Sequence, residues 1–264
     1  VIDLTDLDRG ERRAIVTDFS TNVEVRGIKL INSPEWTFLS YRTDGLTVKD
    51  VDVFGYRQNS DAFDICNSKN VTVDGCFARS GDDLFCVKTL GGDENAITDN
   101  VTIQNCYAWA SKARAFGIFG EVNRAITNVN FLNCTVLCHD AQWDAVSTPA
   151  IGIVAVSRDS DKIGSVSNVK FDNIEICQNK ASAINCVTNL PIVISEITFN
   201  NIRYASNNSG YPIIFNRYDG NNDMYNITFT DVYCGDTLIT RDNSLTYVQD
   251  ENSRWHIFDK NAAG

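Results

Sequence analysis

One short pattern of apolar and polar residues recurs eight times along the chain. Each copy opens on a polar residue, usually Asn, and has apolar positions that alternate with polar ones before an Asn, Asp or Gly. The copies are NVEVRGIKL (22–30), GLTVKDVDV (45–53), NVTVDGCFA (70–78), NVTIQNCYA (100–108), NVNFLNCTV (128–136), NVKFDNIEI (168–176), EITFNNIRY (196–204) and NITFTDVYC (226–234). A period of two predicts short β-strands. The Asn, Asp or Gly suits a tight turn, because these residues tolerate a left-handed backbone.

The spacing of the copies predicts how the strands are arranged. Their first apolar positions are 23, 46, 71, 101, 129, 169, 197 and 227, and repeats of 20–40 residues indicate a solenoid. A second apolar strand follows each copy, in EWTFLSY (35–41), SDAFDIC (60–66), DDLFCVK (82–88), RAFGIFG (114–120), PAIGIVAV (149–156), SAINCVT (182–188), PIIFNRY (212–218) and DTLITRD (236–242). We therefore predict an all-β fold, a parallel β-helix of about eight coils, each stacked about 4.8 Å from the last.

The repeat also predicts which side chains point inward. The position five residues after the first apolar residue forms a column of small or branched apolar side chains, namely Ile28, Val51, Cys76, Cys106, Cys134, Ile174, Ile202 and Val232. We expect its three cysteines to be free thiols, because stacked side chains with parallel Cβ vectors fit disulfide geometry poorly. The Asn residues that open the copies predict a ladder of side-chain hydrogen bonds.

Composition narrows the domain organisation and the partners. The pattern predicts one β-helix domain over 1–264, with a C-terminal cap from about 244 to 264, and the poorly capped N-terminus predicts that further coils precede it. No run approaches the roughly 20 apolar residues of a membrane span. The net charge of −11, with Lys and Arg scattered singly, argues against nucleic acid as a partner. The nine cysteines include no complete zinc-ligand set, so we predict no metal and no cofactor.

Two adjacent acids in GDDLFCVKT (81–89) mark the candidate site. Aligning two second strands on Phe63 and Phe85 sets Asp61 beside Asp83, with Asp82 one residue earlier, in the turn ahead of the strands. Like charges held this close raise the pKa of one carboxyl, which can then donate a proton while its neighbours stay ionised. Glycoside hydrolysis needs this division of roles. A calcium site or a ladder of turn-capping Asp residues is the alternative.

The same residues resemble the signature of a known family. NSDAFDI (59–65), followed one coil later by GDD (81–83), is similar to the NTDGFDI and DD motifs of glycoside hydrolase family 28, the polygalacturonases. The resemblance implies a right-handed β-helix, a secreted or extracytoplasmic enzyme that acts on a polysaccharide or oligosaccharide, and inversion of the anomeric centre. It would make Asp82 the general acid and leave Asp61 and Asp83 to hold the water. We therefore expect carboxyl separations in the lower part of the roughly 6.5–9.5 Å range of inverting enzymes.

Two motifs of that family are not found, and this opens other assignments. The GHG motif should fall near 112–121, where there is no His, and the RIK motif has no clear counterpart. We expect Lys112 or Arg114 beside Asp83 in place of the histidine, and Glu121 at the substrate. The segment NCYAWASKARAFGIFGE (105–121) also resembles the related dextranase and isopullulanase family 49. The substrate thus stays open between pectin-like and α-glucan-like polysaccharides.

Further candidate contacts carry two interpretations each. Lys88 faces the same side as the acids and could bind a sugar or hold a carboxylate. Trp109 could stack on a sugar or belong to the core, and His139 could bind substrate or be a buried structural histidine. Trp143 lies in the longest interval between copies, which we expect to form a wall of the cleft. A polysaccharide lyase and a non-catalytic carbohydrate-binding solenoid are the competing functions.

Overall fold

The chain is built from short strands. A computed structural model describes residues 1–10, 12–91, 95–142, 148–156, 162–188, 190–205, 213–216, 224–239, 246–249 and 255–257, and within these ranges it contains no helix. The strands are β1 (Ile2–Asp3), β2 (Ile15–Asp18), β3 (Thr21–Arg26), β4 (Lys29–Ile31), β5 (Phe38–Tyr41), β6 (Asp44–Lys49), β7 (Asp52–Phe54), β8 (Phe63–Cys66), β9 (Lys69–Asp74), β10 (Phe77–Ser80), β11 (Phe85–Thr89), β12 (Thr98–Gln104), β13 (Tyr107–Ala110), β14 (Phe116–Val122), β15 (Ala125–His139), β16 (Ile151–Val156), β17 (Ser165–Ile176), β18 (Ile184–Thr188), β19 (Val193–Tyr204), β20 (Ile213–Asn216), β21 (Met224–Cys234), β22 (Thr237–Leu238), β23 (Thr246–Gln249) and β24 (Trp255–Ile257). In this part of the chain there is accordingly no helix that could cross a membrane.

The strands form two sheets that the chain visits alternately. The site sheet runs in the order β2-β5-β8-β11-β14-β16-β18-β20-β23-β24, and the other described strands form the long sheet. Neighbours in both sheets are parallel, apart from β21 with β22 and β23 with β24. Crossovers between parallel strands are right-handed, and the fold is a right-handed parallel β-helix, as predicted.

The long sheet bends where the sequence pattern places Asn, Asp or Gly. The residue before each inward column position has a positive φ of 50–64°, in Gly27, Asp50, Gly75, Asn105, Asn133, Asn173, Asn201 and Asp231. In the first four copies this turn separates two short strands, as from β3 to β4. From β15 onward the pairing continues through the bend, so that β15 and β17 are 15 and 12 residues long rather than short.

The inward column and the asparagine ladder are confirmed. Seven of the eight column residues are at most 2% exposed, and the eighth, Ile28, is half-buried in the outermost of these coils. All nine cysteines lie among the described residues and are free thiols. Between coils, Asn100 Nδ2 donates to Asn70 Oδ1 at 2.7 Å, and Asn168 Nδ2 donates to Asn128 Oδ1 at 2.5 Å.

Stacked phenylalanines fill the interior. In the site sheet the rings of Phe63 and Phe85 lie 4.9 Å apart and nearly parallel, in the register that the sequence alignment predicted. In the long sheet Phe131, Phe171 and Phe199 repeat the arrangement at 4.8 and 4.9 Å. Because coil spacing matches ring stacking distance, one aromatic per coil yields a continuous core.

Two sequence-based strand assignments are wrong. DTLITRD (236–242) does not supply the last strand of the site sheet, because β22 turns back and pairs antiparallel with β21. The next strand of the site sheet is β23. The repeat also missed β2, which precedes the first copy. Trp143, Phe258 and much of the expected C-terminal cap lie outside the described residues.

Candidate active site

The candidate site occupies one position repeated in five coils. Pairing aligns Ile15, Phe38, Phe63, Phe85 and Phe116 across the site sheet. The residues two positions earlier in each coil are Arg13, Trp36, Asp61, Asp83 and Arg114. The backbone ladder runs on into this turn, since Ala62 N donates to Asp83 O at 2.8 Å and Leu84 N donates to Arg114 O at 3.0 Å. Side chains distant in sequence therefore form one row along the helix axis, which we call the site row.

Three carboxylates converge in this turn. One oxygen from each of Asp61, Asp82 and Asp83 lies within 4.8 Å of the others. Gly81 allows the approach, because a Cβ there would lie 2.1 Å from the carbonyl oxygen of Arg57. Its N–H donates to Ser60 Oγ at 3.3 Å, which ties the turn to the previous coil. The pair of acids that opens GDDLFCVKT is thus held by local backbone packing, and the strand itself begins only at Phe85.

The buried Lys88 side chain neutralises part of this charge. Its ammonium donates to Asp61 Oδ2 at 2.8 Å and to Asp64 Oδ1 at 2.7 Å, and all three side chains are nearly or fully buried. Burial lowers the pKa of Lys88, but the charges of Asp61 and Asp64 outweigh this effect and the pKa lies well above its usual value. Of the two interpretations of Lys88, the structure supports the one in which it holds carboxylates.

Burial acts in the same direction on Asp61 and Asp64. It raises the pKa of both carboxyls, and the charge of Lys88 opposes the increase in each. The Oδ1 atom of Asp61 is buried and accepts no hydrogen bond from the described residues.

Arg114 holds Asp83, as predicted for Lys112 or Arg114. Its Nη1 atom donates to Asp83 Oδ2 at 2.9 Å and to Oδ1 at 3.1 Å. The guanidinium also lies over Phe119, 5.5 Å from the ring centroid, where the ring covers the outer face of the site sheet. Lys112 does not reach the cluster. It is half-buried, and its carbonyl accepts from the N–H of Gln142.

Asp82 differs from its neighbours in having no cation within ion-pair distance in the described part of the chain. Its Oδ1 accepts from the N–H of Asp83 at 3.0 Å. Burial raises the pKa of Asp82 to about 7, and the charges of Asp61 and Asp83 add to the increase. Near neutral pH it therefore exists both as an acid and as a carboxylate, while Asp83 is paired with Arg114.

A cavity of about 390 Å³ opens over this cluster. Its charged lining residues are Arg13, Glu35, Asp61, Asp82, Asp83, Lys88, Arg114 and Glu121. Trp36 lies beside Lys88, whose ammonium is 4.1 Å from the ring centroid, and Asn59 donates to Glu35 at 2.7 Å. Glu121, near the end of β14, lines the same cavity, and its contact with the substrate stays a prediction.

The three acids approach one another closely. One oxygen from each lies within 4.8 Å of the others, and the roughly 6.5–9.5 Å between whole carboxyl groups that was expected for an inverting pair stays a prediction. Lys88 and Arg114 offset the repulsion between Asp61 and Asp83, which permits this approach.

Two predicted substrate contacts lie away from the cavity. His139 is fully buried, and its Nδ1 is 2.6 Å from Asn179 Oδ1, so it is a structural histidine. Burial lowers the pKa of His139. Trp109 lies on the long sheet with its ring half-exposed beneath the guanidinium of Arg79, 4.9 Å away, and belongs neither to the cavity nor to the core. Whether a side chain reaches the cavity depends on which sheet and which face of its strand it occupies, and residue type alone does not reveal this.

Four cavity residues, Arg13, Glu35, Trp36 and Asn59, were not recognised from sequence, and neither was Asp64 behind them. Trp36 could have been found, because the alignment on Phe38 places it in the row of Asp61. Arg13 was missed with β2. Asp64 is on the outward face of β8, where a charged residue would ordinarily be solvated. Only the structure shows that this position is buried, so that the carboxylate is paired with Lys88. Asn59 was quoted within the NSDAFDI motif, but its hydrogen bond to Glu35 joins two coils and has no local signal.

Comparisons with known proteins agree with this architecture. The chain is 28% identical over 230 residues to a probable exopolygalacturonase B of Neosartorya fischeri, covering 83% of the chain and 43% of that protein. It is 25% identical to endopolygalacturonase I of Aspergillus aculeatus over 80% of the chain and 55% of that protein. The chain thus spans about half the length of these relatives.

A solved structure and a family model extend the comparison. The exopolygalacturonase from Thermotoga maritima superposes with a TM-score of 0.67 at 17% identity, covering 88% of this chain and 52% of that one, which shows the shared fold. The model of "Glycosyl hydrolases family 28" matches residues 4–234, which include all eight copies of the repeat and the whole site row. The chain therefore belongs to glycosyl hydrolases family 28.

Proposed function

We propose that the chain is an inverting glycoside hydrolase that cleaves a pectin-type polymer of galacturonic acid, with Asp82 as general acid and Asp61 and Asp83 as the acids that hold the attacking water. The observation that carries the proposal is the unequal treatment of three adjacent carboxyls. Asp61 and Asp83 each face a cation, whereas burial raises the pKa of Asp82 to about 7. The names of the relatives supply the substrate class.

The spacing of the acids suits a shared water. A water that donates to two carboxylate oxygens at about 2.8 Å holds those oxygens about 4.4 Å apart, which fits within the observed 4.8 Å. The separation also resembles the roughly 5 Å of retaining enzymes. However, Asp61 and Asp83 are almost completely buried and bound to cations, which weakens either as a nucleophile. These contacts favour attack by water and inversion.

In the proposed reaction one carboxyl gives up a proton and another takes one up. Asp82 gives its proton to the glycosidic oxygen as the bond to the anomeric carbon breaks. Water attacks that carbon and loses a proton to Asp61 or Asp83, whose carboxylates form ion pairs with Lys88 and Arg114. Transfer of a proton between the acids and solvent then restores Asp82. A lyase would instead need an uncommitted base, and both of these cations are engaged by carboxylates.

A reducing-end assay on polygalacturonate, dextran and pullulan tests the reaction class, and proton NMR of the first product tests its stereochemistry. We expect hydrolysis of polygalacturonate with inversion. Asp82→Asn should lower turnover by about 10²–10⁴, the usual contribution of general acid catalysis. Asp172→Asn, an exposed-face acid of the long sheet, is the control and should leave turnover unchanged. Initial retention would refute the mechanism, and an unsaturated product absorbing in the ultraviolet would indicate a lyase.

A further inference from the structure

The cavity extends past the three acids along the site row to Trp36 and Arg13. Trp36 precedes β5 and Arg13 precedes β2, so their coils are the two that come before that of Asp61 in the order of the sheet. Since adjacent parallel strands lie about 4.8 Å apart, Arg13 belongs to a coil about 10 Å from that of Asp61. A group bound at Arg13 would thus belong to a neighbouring sugar of the substrate and not to the bond at Asp82.

Arg13 is the cation of the cavity that is available to an anion. Lys88 is bound to Asp61 and Asp64, and Arg114 is bound to Asp83. Among the described residues no carboxylate lies within ion-pair distance of Arg13, whose side chain is exposed. Its guanidinium carbon is 5.6 Å from the ring centroid of Trp36. A guanidinium near an aromatic face is partly ordered yet keeps its N–H groups for a planar acceptor.

The surrounding charge makes this cation necessary for a polyanion. Five acids line the cavity, and the chain carries a net charge of −11, so a polyuronate approaches a negative surface. Glu35 lines the same cavity, and its Oε2 accepts a hydrogen bond from Asn59 Nδ2 at 2.7 Å. Without Arg13 a carboxylate bound in the catalytic cavity at this end would lie beside Glu35 without a cation that lines the same cavity and is not already paired. The Trp36 ring, which also lies 4.1 Å from the Lys88 ammonium, supplies a flat surface for a sugar ring.

We infer that Arg13, supported by Trp36, forms a subsite that binds the carboxylate of a uronic acid residue adjacent to the one cleaved. The inference rests on the proposed function for its substrate class, and it makes Arg13 a specificity-determining residue. A methyl-esterified or neutral sugar would lose the charged hydrogen bonds at this position. Charged hydrogen bonds contribute about 1.5–3 kcal/mol, which corresponds to roughly 10–100-fold in affinity.

Calorimetric titration with trigalacturonate tests the subsite on the Asp82→Asn protein, whose turnover of the ligand should be about 10²–10⁴-fold slower. Adding Arg13→Gln should weaken binding about 10–100-fold, and Arg13→Lys should recover part of the loss. Arg26→Gln, which changes an exposed arginine of β3 in the long sheet, is the matched control and should leave binding unchanged. The trimethyl ester should bind equally weakly with and without the Arg13→Gln substitution, because it presents no carboxylate.

Each result bears on the subsite separately from catalysis. Equal affinity of Arg13→Gln and its parent for trigalacturonate overturns the inference, as does equal weakening by Arg26→Gln, or an absence of binding. If polygalacturonate is not hydrolysed but trigalacturonate binding still depends on Arg13, the proposed reaction fails and the subsite stands. If hydrolysis proceeds and Arg13→Gln changes neither binding nor kcat/KM, the subsite fails and the reaction stands.

Discussion

Lys88 is the residue whose loss should expose the electrostatic design of the site most directly. Its ammonium lies 2.8 Å from Asp61 and 2.7 Å from Asp64, with all three side chains at most 4% exposed. Lys88→Met keeps the length of the side chain and removes the charge. It leaves two buried carboxylates without their cation, and breaking a buried ion pair costs about 3–5 kcal/mol. We expect this loss in the free energy of unfolding at pH 8.

The loss should depend on pH with a definite sign. Burial already raises the pKa of Asp61 and Asp64, and Lys88 opposes that increase. Without Lys88 the folded-state pKa values rise further, so the folded variant binds more protons than its unfolded chain above about pH 4. Stability is then present at low pH and lost as pH rises. The difference between parent and variant should be small at pH 4.5 and largest at pH 8.

Equilibrium urea unfolding of parent and variant at these two pH values measures the effect. Lys49→Met is the control, because Lys49 is 47% exposed and 3.9 Å from Asp74, a surface pair worth less than about 1 kcal/mol. Adding Asp64→Asn to Lys88→Met should recover part of the stability, since one uncompensated carboxylate is removed. A Lys88→Met loss that is below about 1 kcal/mol, or that is the same at both pH values, would refute the reasoning.

Three further predictions concern the core, the close approach of strands and the general acid. Phe171→Ala removes a fully buried ring stacked between two others and should cost about 3–5 kcal/mol in urea unfolding; a loss under about 1 kcal/mol would contradict the stacked core. Gly117→Ala should destabilise by about 1–3 kcal/mol, because its Cβ would lie 2.0 Å from a carbonyl oxygen of the next strand, whereas Gly91→Ala, 3.4 Å from a flexible lysine tip, should stay within about 0.5 kcal/mol. The kcat/KM for polygalacturonate should fall about tenfold per pH unit above about pH 7 as Asp82 loses its proton; a rate that stays constant to about pH 9 would exclude Asp82 as the general acid.

The sequence by itself determined the fold and the acids. A repeat of alternating apolar residues with an Asn, Asp or Gly between them permits little except a strand, a left-handed turn and a strand, and its recurrence at 23–40 residues requires stacked coils. Stacking places equivalent positions side by side. The single alignment of Phe63 on Phe85 therefore sufficed to bring Asp61 and Asp83 together, and the next coil offered Lys112 or Arg114 as their neighbour. These are consequences of register, which a periodic sequence carries in itself.

Only the tertiary structure decided how the charges are shared. The pairing of Lys88 with Asp64 depends on a covered outer face of β8, and coverage comes from other coils and has no local pattern. The same holds for His139, which is buried against Asn179, 40 residues away, and for Trp109, which faces outward on the other sheet. Separation of the acids was also a tertiary outcome. Repulsion alone predicts divergence, but two cations from neighbouring coils bring the oxygens within 4.8 Å. Pairwise charge compensation is set by three-dimensional proximity. For that reason the sequence pattern could locate the acids and offer candidate cations, but it could not decide which cation pairs with which acid.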